Sequence, residues 1–215
     1  MRIDVRRFLG ILLLALPLLL AFFATRASAD GATFRWDIVH ITSFSPVTAE
    51  PGGHASAAAN DSSKITLTGS GTFVVGEPDE VTGGGTWQTF NSGGTMTGSG
   101  TYVVTRLVRF TVAPGVQTSS LVDHIGNSTL TDNRGGLAFL RISYSDGSKG
   151  VLVVSCHLNG NPPPQGPDAT PASVFEGITA SKDFVDFWNR EAPVSGVDGN
   201  RTLFHAVSEE NEDEQ

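Results

Sequence analysis

Cysteine is almost missing from this chain: Cys156 is the only one among 215 residues. A single thiol closes no internal disulfide, so the core must hold the fold unaided. Cys156 ends the apolar run Val151-Leu152-Val153-Val154-Ser155-Cys156 and reads as a small buried residue. Positive charge is scarce as well, with 14 Lys and Arg against 22 Asp and Glu. That balance argues against nucleic acid as a partner, because phosphates require clustered basic side chains. It also disfavours anionic membrane surfaces. Helical periodicity is nearly absent. There is no Gly-x-Ser-x-Gly elbow, no phosphate-binding loop and no zinc cluster. The five histidines, His40, His54, His124, His157 and His205, show no His-x-His or His-Glu-x-x-His spacing, so no metal and no cofactor is expected. Cys156 and His157 are neighbours, which in a strand sends them to opposite faces and removes them as a nucleophile–base pair.

What is present starts with one apolar run. Arg2, Arg6 and Arg7 precede Phe8 to Ala24, and Ala27-Ser28-Ala29 follows ahead of Asp30. This is the layout of a secretory signal over residues 1–29 with a small-residue cleavage site. A retained anchor is the alternative, since the run sits at the lower edge of bilayer-spanning length. The expected destination is secreted or extracytoplasmic, with no membrane span after cleavage. Residues 30–207 then form one domain, carrying few bases against many acids. Residues 208–215 form an acidic tail in which Glu209, Glu210, Glu212, Asp213 and Glu214 repel one another.

The most informative pattern is a repeat. Thr68-Gly69-Ser70-Gly71-Thr72-Phe73, Thr82-Gly83-Gly84-Gly85-Thr86-Trp87 and Thr97-Gly98-Ser99-Gly100-Thr101-Tyr102 follow one another closely. A unit this short suits one strand and one connection, which predicts an antiparallel meander. Lys64 to Val75 alternates, with Ile65, Leu67, Gly69, Gly71, Phe73 and Val75 on one face. Glycines on that face allow the sheet to bend and curl.

Strands are also predicted at Phe34–His40, Gly100–Val112, Leu137–Tyr144, Val151–Leu158 and Arg201–Val207, while Val174–Ser181 and Phe184–Trp188 read as two short strands or one bent strand. Asp146-Gly147-Ser148-Lys149-Gly150 marks a hairpin. Ser43–Ser63 and the Pro-rich segment 161–167 read as loops, the first as a mobile stretch or a lid. The expected class is all-β and antiparallel, with about eight or nine strands in a closed or nearly closed β-barrel; a β-sandwich is the alternative.

The Gly-rich openings Thr82-Gly83-Gly84-Gly85 and Thr97-Gly98-Ser99-Gly100-Thr101-Tyr102 resemble those of the dirigent and allene oxide cyclase barrels. The resemblance covers roughly Lys64 to Phe110. It implies an exported eight-stranded barrel that holds an apolar ligand and steers cyclisation or coupling. No catalytic residue of either family matches a position here.

Strict alternation puts Arg106 on one face with Tyr102, Val104, Val108, Phe110 and Val112, and sets Glu176 between Val174 and Ile178. A charge inside a barrel needs a partner, so Arg106 and Glu176 either meet or line a polar pocket, unless both faces point outward. Phe73, Trp87 and Tyr102 are the candidate aromatic walls. The leading expectation is a non-enzymatic exported barrel binding a small apolar or amphipathic ligand. A cyclase or isomerase using Arg106, Glu176 and a Tyr is the second reading. A structural or envelope-associated protein acting through its outer surface is the third. Asn60, Asn127 and Asn200 each open an N-glycosylation triplet.

Overall fold

The computed structural model describes residues 31–113, 121–126, 130–157, 176–190 and 200–207. The expected signal (1–29), the Pro-rich segment at 161–167, Val174, the Asn127 triplet and the acidic tail (208–215) lie outside the described residues. The described chain is all-β. Its strands are β1 (Thr33–Phe44), β2 (Val47–Glu50), β3 (Ala55–Ala58), β4 (Lys64–Leu67), β5 (Ser70–Val74), β6 (Glu77–Val81), β7 (Gly84–Phe90) and β8 (Met96–Val112). They continue as β9 (Leu121–Asp123), β10 (Asn133–Arg134), β11 (Gly136–Tyr144), β12 (Lys149–Cys156), β13 (Gly177–Lys182), β14 (Val185–Phe187) and β15 (Arg201–Val207).

The main path of paired strands runs β10-β15-β1-β5-β7-β8-β11-β12-β13-β14. Every pairing is antiparallel except β2 with β9, so the sheet is mixed. The path has two ends, and the closed barrel expected from the glycine bends is not supported. One bridge, Ala58 with Asn189, ties β3 to the residues after β14 through two backbone bonds of 2.9 and 3.1 Å. That is a single contact and no ladder. Segments too short to show period two account for the strands beyond the expected eight or nine. Within Ser43–Ser63, β2 and the wholly buried β3 stand where a loop was expected. Alanine has little strand propensity, so Ala55–Ala58 gave no signal until β4 supplied a partner.

The repeat breaks the predicted strand Lys64–Val75 in two. β4 pairs with β7, whereas β5 pairs with β1 and touches β7 only at Ser70–Gly84. Gly69, at φ +145°, makes the corner where the chain changes partners. Around it the backbones cross too closely for side chains. A Cβ on Gly83 would overlap the Ser70 carbonyl, and one on Gly85 the Thr68 carbonyl. In the third copy the glycines serve a ring instead: Gly98 and Gly100 lie beneath the Trp87 indole. The repeat threonines bond across strands, with Thr68 Oγ1 2.8 Å from Thr86 Oγ1 and Thr72 Oγ1 2.7 Å from Thr82 Oγ1.

β8 does not alternate strictly. Its register with β11 slips at Thr105 and again at Val108, two β-bulges. The inward residues are therefore Tyr102, Val104, Leu107 and Phe110, while Arg106 and Val108 point to solvent. Each bulge inserts one residue and resets the period-two pattern. The core is one continuous cluster that includes Trp36, Ile38, Phe73, Leu140, Leu152 and Phe204. Cys156 is buried in it as a free thiol, as expected. Gly85→Ala should lower stability by about 1–3 kcal/mol, the usual cost of overpacking, seen as a lower urea midpoint; an unchanged midpoint would mean that the crossing has room.

Candidate functional site

The three predicted aromatic walls are all buried. They belong to two separate groups. Phe73 packs with Phe34, Phe110 and Phe204, with ring centroids 4.8 Å from Phe110 and 6.3 Å from Phe204. Trp87 and Tyr102 instead meet Tyr144, at 5.7 and 6.3 Å. Lys182 Nζ stands 4.5 Å over the Trp87 ring and 2.5 Å from Asp146 Oδ2. That ammonium, with the Ser148 hydroxyl, holds the Asp146 carboxyl down at about 2. The two phenols are spent on backbone carbonyls: Tyr102 donates to Thr68 O at 2.7 Å and Tyr144 to Ser181 O at 2.9 Å. Burial pushes both phenol pKa values far up, so neither titrates near neutrality.

Arg106 and Glu176 do not meet. The outward Arg106 pairs with Asp79 at 2.7 Å, both side chains well exposed. Such a surface pair contributes at most about 1 kcal/mol. Glu176 is half-buried at the start of β13 and acts as a staple. It accepts from the His157 amide at 2.6 Å and from the Thr202 amide at 2.6 Å, tying β12 to β15 where no ladder joins them. Thr202 Oγ1 donates to Ser155 O at 2.7 Å and lies 3.1 Å from Glu176 Oε1. A hydroxyl has one hydrogen. With that hydrogen on Ser155 O, the second contact is satisfied when Glu176 itself carries a proton. Burial pushes the Glu176 pKa up to about 7, against the pull of these donors and of Arg201.

A further polar cluster went unread in the sequence. Arg35 donates from both Nε and Nη2 to Asp37, at 2.8 Å each. His205 Nε2 lies 2.8 Å from Asp123 Oδ2, and its Nδ1 lies 3.9 Å from Asp37 Oδ2. Burial raises the Asp37 pKa despite Arg35. Asp123 is also desolvated, but the His205 bond and the Ile125 and Gly126 amides outweigh that and hold its pKa below the usual range. His205 is buried, and the Gly126 backbone packs on its ring. The geometry suits a clamp between β1, β9 and β15. The signal available was Arg35 and Asp37 at spacing two on β1. Its partners lie 86 and 168 residues further on, beyond the reach of any local pattern.

Asn200 is likewise structural. Its amide accepts from Ser56 N at 2.5 Å and donates to Ser56 O at 3.0 Å, pairing with β3 as a strand backbone would. That buried role takes it out of use as a glycosylation acceptor.

The surface holds what the core does not use. Phe184, at the tip of the β13–β14 hairpin, is fully exposed, and Val185 and Trp188 are about half exposed, at 41% and 55%. Among the described residues no His, Cys, Asp and Glu group suits a metal ion, and no helix is long and apolar enough to cross a membrane. Comparison with protein-family models, curated proteins and solved structures finds no match.

Two measurements test these assignments. His205→Ala removes the side-chain partner of the buried Asp123 carboxylate and should cost about 1–3 kcal/mol in denaturant unfolding; an unchanged unfolding midpoint would contradict the clamp. Because the Glu176 pKa is raised on folding, the native state holds that proton more tightly than the unfolded chain. Stability should therefore fall as pH rises from about 4.5 to about 7 and then level, by at most about 3 kcal/mol. Glu176→Gln should flatten that slope; an unaltered slope would assign it to other groups.

Proposed function

We propose that the chain is an exported, non-enzymatic interaction protein that works through its outer surface. The carrying observation is Phe184: a large aromatic side chain standing free in solvent on a hairpin whose base is firmly held. Val185 and Trp188 add two further exposed apolar side chains along the same hairpin. Exposed apolar groups on an otherwise well-packed domain suit contact sites, and aromatic anchors dominate binding energy. The hairpin is well anchored. Asp183 N donates to Lys149 O, Val151 N donates to Ser181 Oγ, and Trp188 Nε1 donates to Asn60 Oδ1 at 3.0 Å. A preorganised tip loses little entropy on docking.

Export rests on the Arg-led apolar run and Ala27-Ser28-Ala29. A ligand held inside has weaker support, since Phe73, Trp87 and Tyr102 are packed ring against ring. The cyclase reading has less: Arg106 and Glu176 do not converge, and both phenols are bonded to carbonyls.

Native mass spectrometry with a library of lipids and phenols should find no retained ligand. A photoreactive residue at position 184 should form macromolecular adducts that one at Thr101, on the threonine face, does not. A stoichiometric small ligand, displaced by enlarging a core side chain, would reverse the proposal.

A further inference from the structure

Resting on that surface reading, we infer that the hairpin's partner is a second copy of this chain, which it meets at the outer face of β8 and β11. The receiving face is unusual for so acidic a protein. Arg106 stands directly opposite Arg141 in the β8–β11 register, and both are exposed. Like charges facing each other across an antiparallel pair are destabilising. Arg109 projects from the same side of β8, because the bulge at Val108 lets two successive residues face outward. Only Arg106 has a carboxylate neighbour, the exposed Asp79; among the described residues none lies within ion-pair distance of Arg109 or Arg141. Among the described residues, Arg109 is bonded through Nε to Thr111 Oγ1, at 3.2 Å. Val108 stands between Arg106 and Arg109 on β8, and Val103 lies just before Arg106, 54% and 55% exposed. The face is thus basic and apolar in alternation.

The hairpin tip carries the complement. Asp183-Phe184-Val185-Asp186 places two apolar side chains between two exposed carboxylates. Asp61, beside Asn60, adds a third exposed acid close to Trp188. Each surface contains the chemistry the other lacks: carboxylates for Arg109 and Arg141, and an aromatic anchor for the valines. A polyanion without apolar groups would leave Val103 and Val108 uncovered, which favours a protein segment. β13 is paired with β12 and β14, and the Lys182–Asp146 and Tyr144–Ser181 contacts fix the end of β13 that carries the tip. The two surfaces are different patches of one molecule, so the contact is heterologous and propagates head to tail. A hairpin tip covers little area, so each contact is transient, and its ionic part weakens with salt.

Sedimentation velocity of the exported protein, with Asp186→Arg, Phe184→Ala and Arg141→Glu variants, tests this. All three positions are exposed, and circular dichroism verifies folding. The wild-type average mass should rise with concentration and fall with added salt. Each variant alone should associate at least tenfold more weakly. Mixing Phe184→Ala with Arg141→Glu should restore association but stop at the dimer, since only one intact pair of surfaces is available. A wild type that stays monomeric, or a mixture that does not associate, overturns the inference. Adducts at position 184 that contain only another protein overturn it as well, while leaving the surface reading in place.

Discussion

Where β5, β7 and β8 cross, a carbonyl oxygen of one strand occupies the place that a neighbour's Cβ would need. The rest of the architecture follows from that approach. Only glycine permits it, and the repeat supplies glycines at Gly69, Gly71, Gly83, Gly84 and Gly85. The crossing turns β4 away from β5 and so lets one stretch of chain serve two partners. It also sets Tyr102 beneath Thr68, where the phenol reaches a carbonyl that the bend leaves free. The third copy then makes room for Trp87, which fills the space its glycines vacate.

The sheet path stays open, and side chains join what ladders do not. Glu176 and Thr202 link β12 to β15, Asn200 pairs with β3, and His205 between Asp123 and Asp37 fixes β9 against β1 and β15. Buried polar groups that must stay bonded specify one arrangement more sharply than apolar packing does. They also leave the domain's most strongly perturbed carboxyls in structural work. For this reason unusual titration is a poor guide to chemistry here. Among the described residues, the exposed Phe184 tip and the β8 and β11 arginines, of which only Arg106 has a carboxylate within ion-pair distance, lie outside this network.

The bulges show how a correct local reading can yield the wrong face. The alternation Tyr102, Val104, Arg106, Val108, Phe110 is plain in the sequence, and both ends of it do point inward. One extra residue at Thr105 and another at Val108 rotate the middle outward, carrying Arg106 to solvent and Leu107 into the core. A bulge is chosen by how two strands fit together, and β11 begins only at Gly136, well beyond the end of β8 at Val112. Phe184 was legible as part of a strand-like run but not as an exposed tip, because Asp183, at φ 49°, turns the chain just before it.

Some properties follow from composition and local pattern alone. Period-two alternation and Gly–Thr repeats make the chain all-β. A single cysteine leaves its core without disulfides, and its acid excess sets the character of its surface. These hold because each depends on residues a few positions apart, or on none in particular. Whether the sheet closes, which face each charge takes, and which polar groups meet were decided by tertiary structure. Each of those depends on the register between distant strands, where a shift of one residue reverses inside and outside.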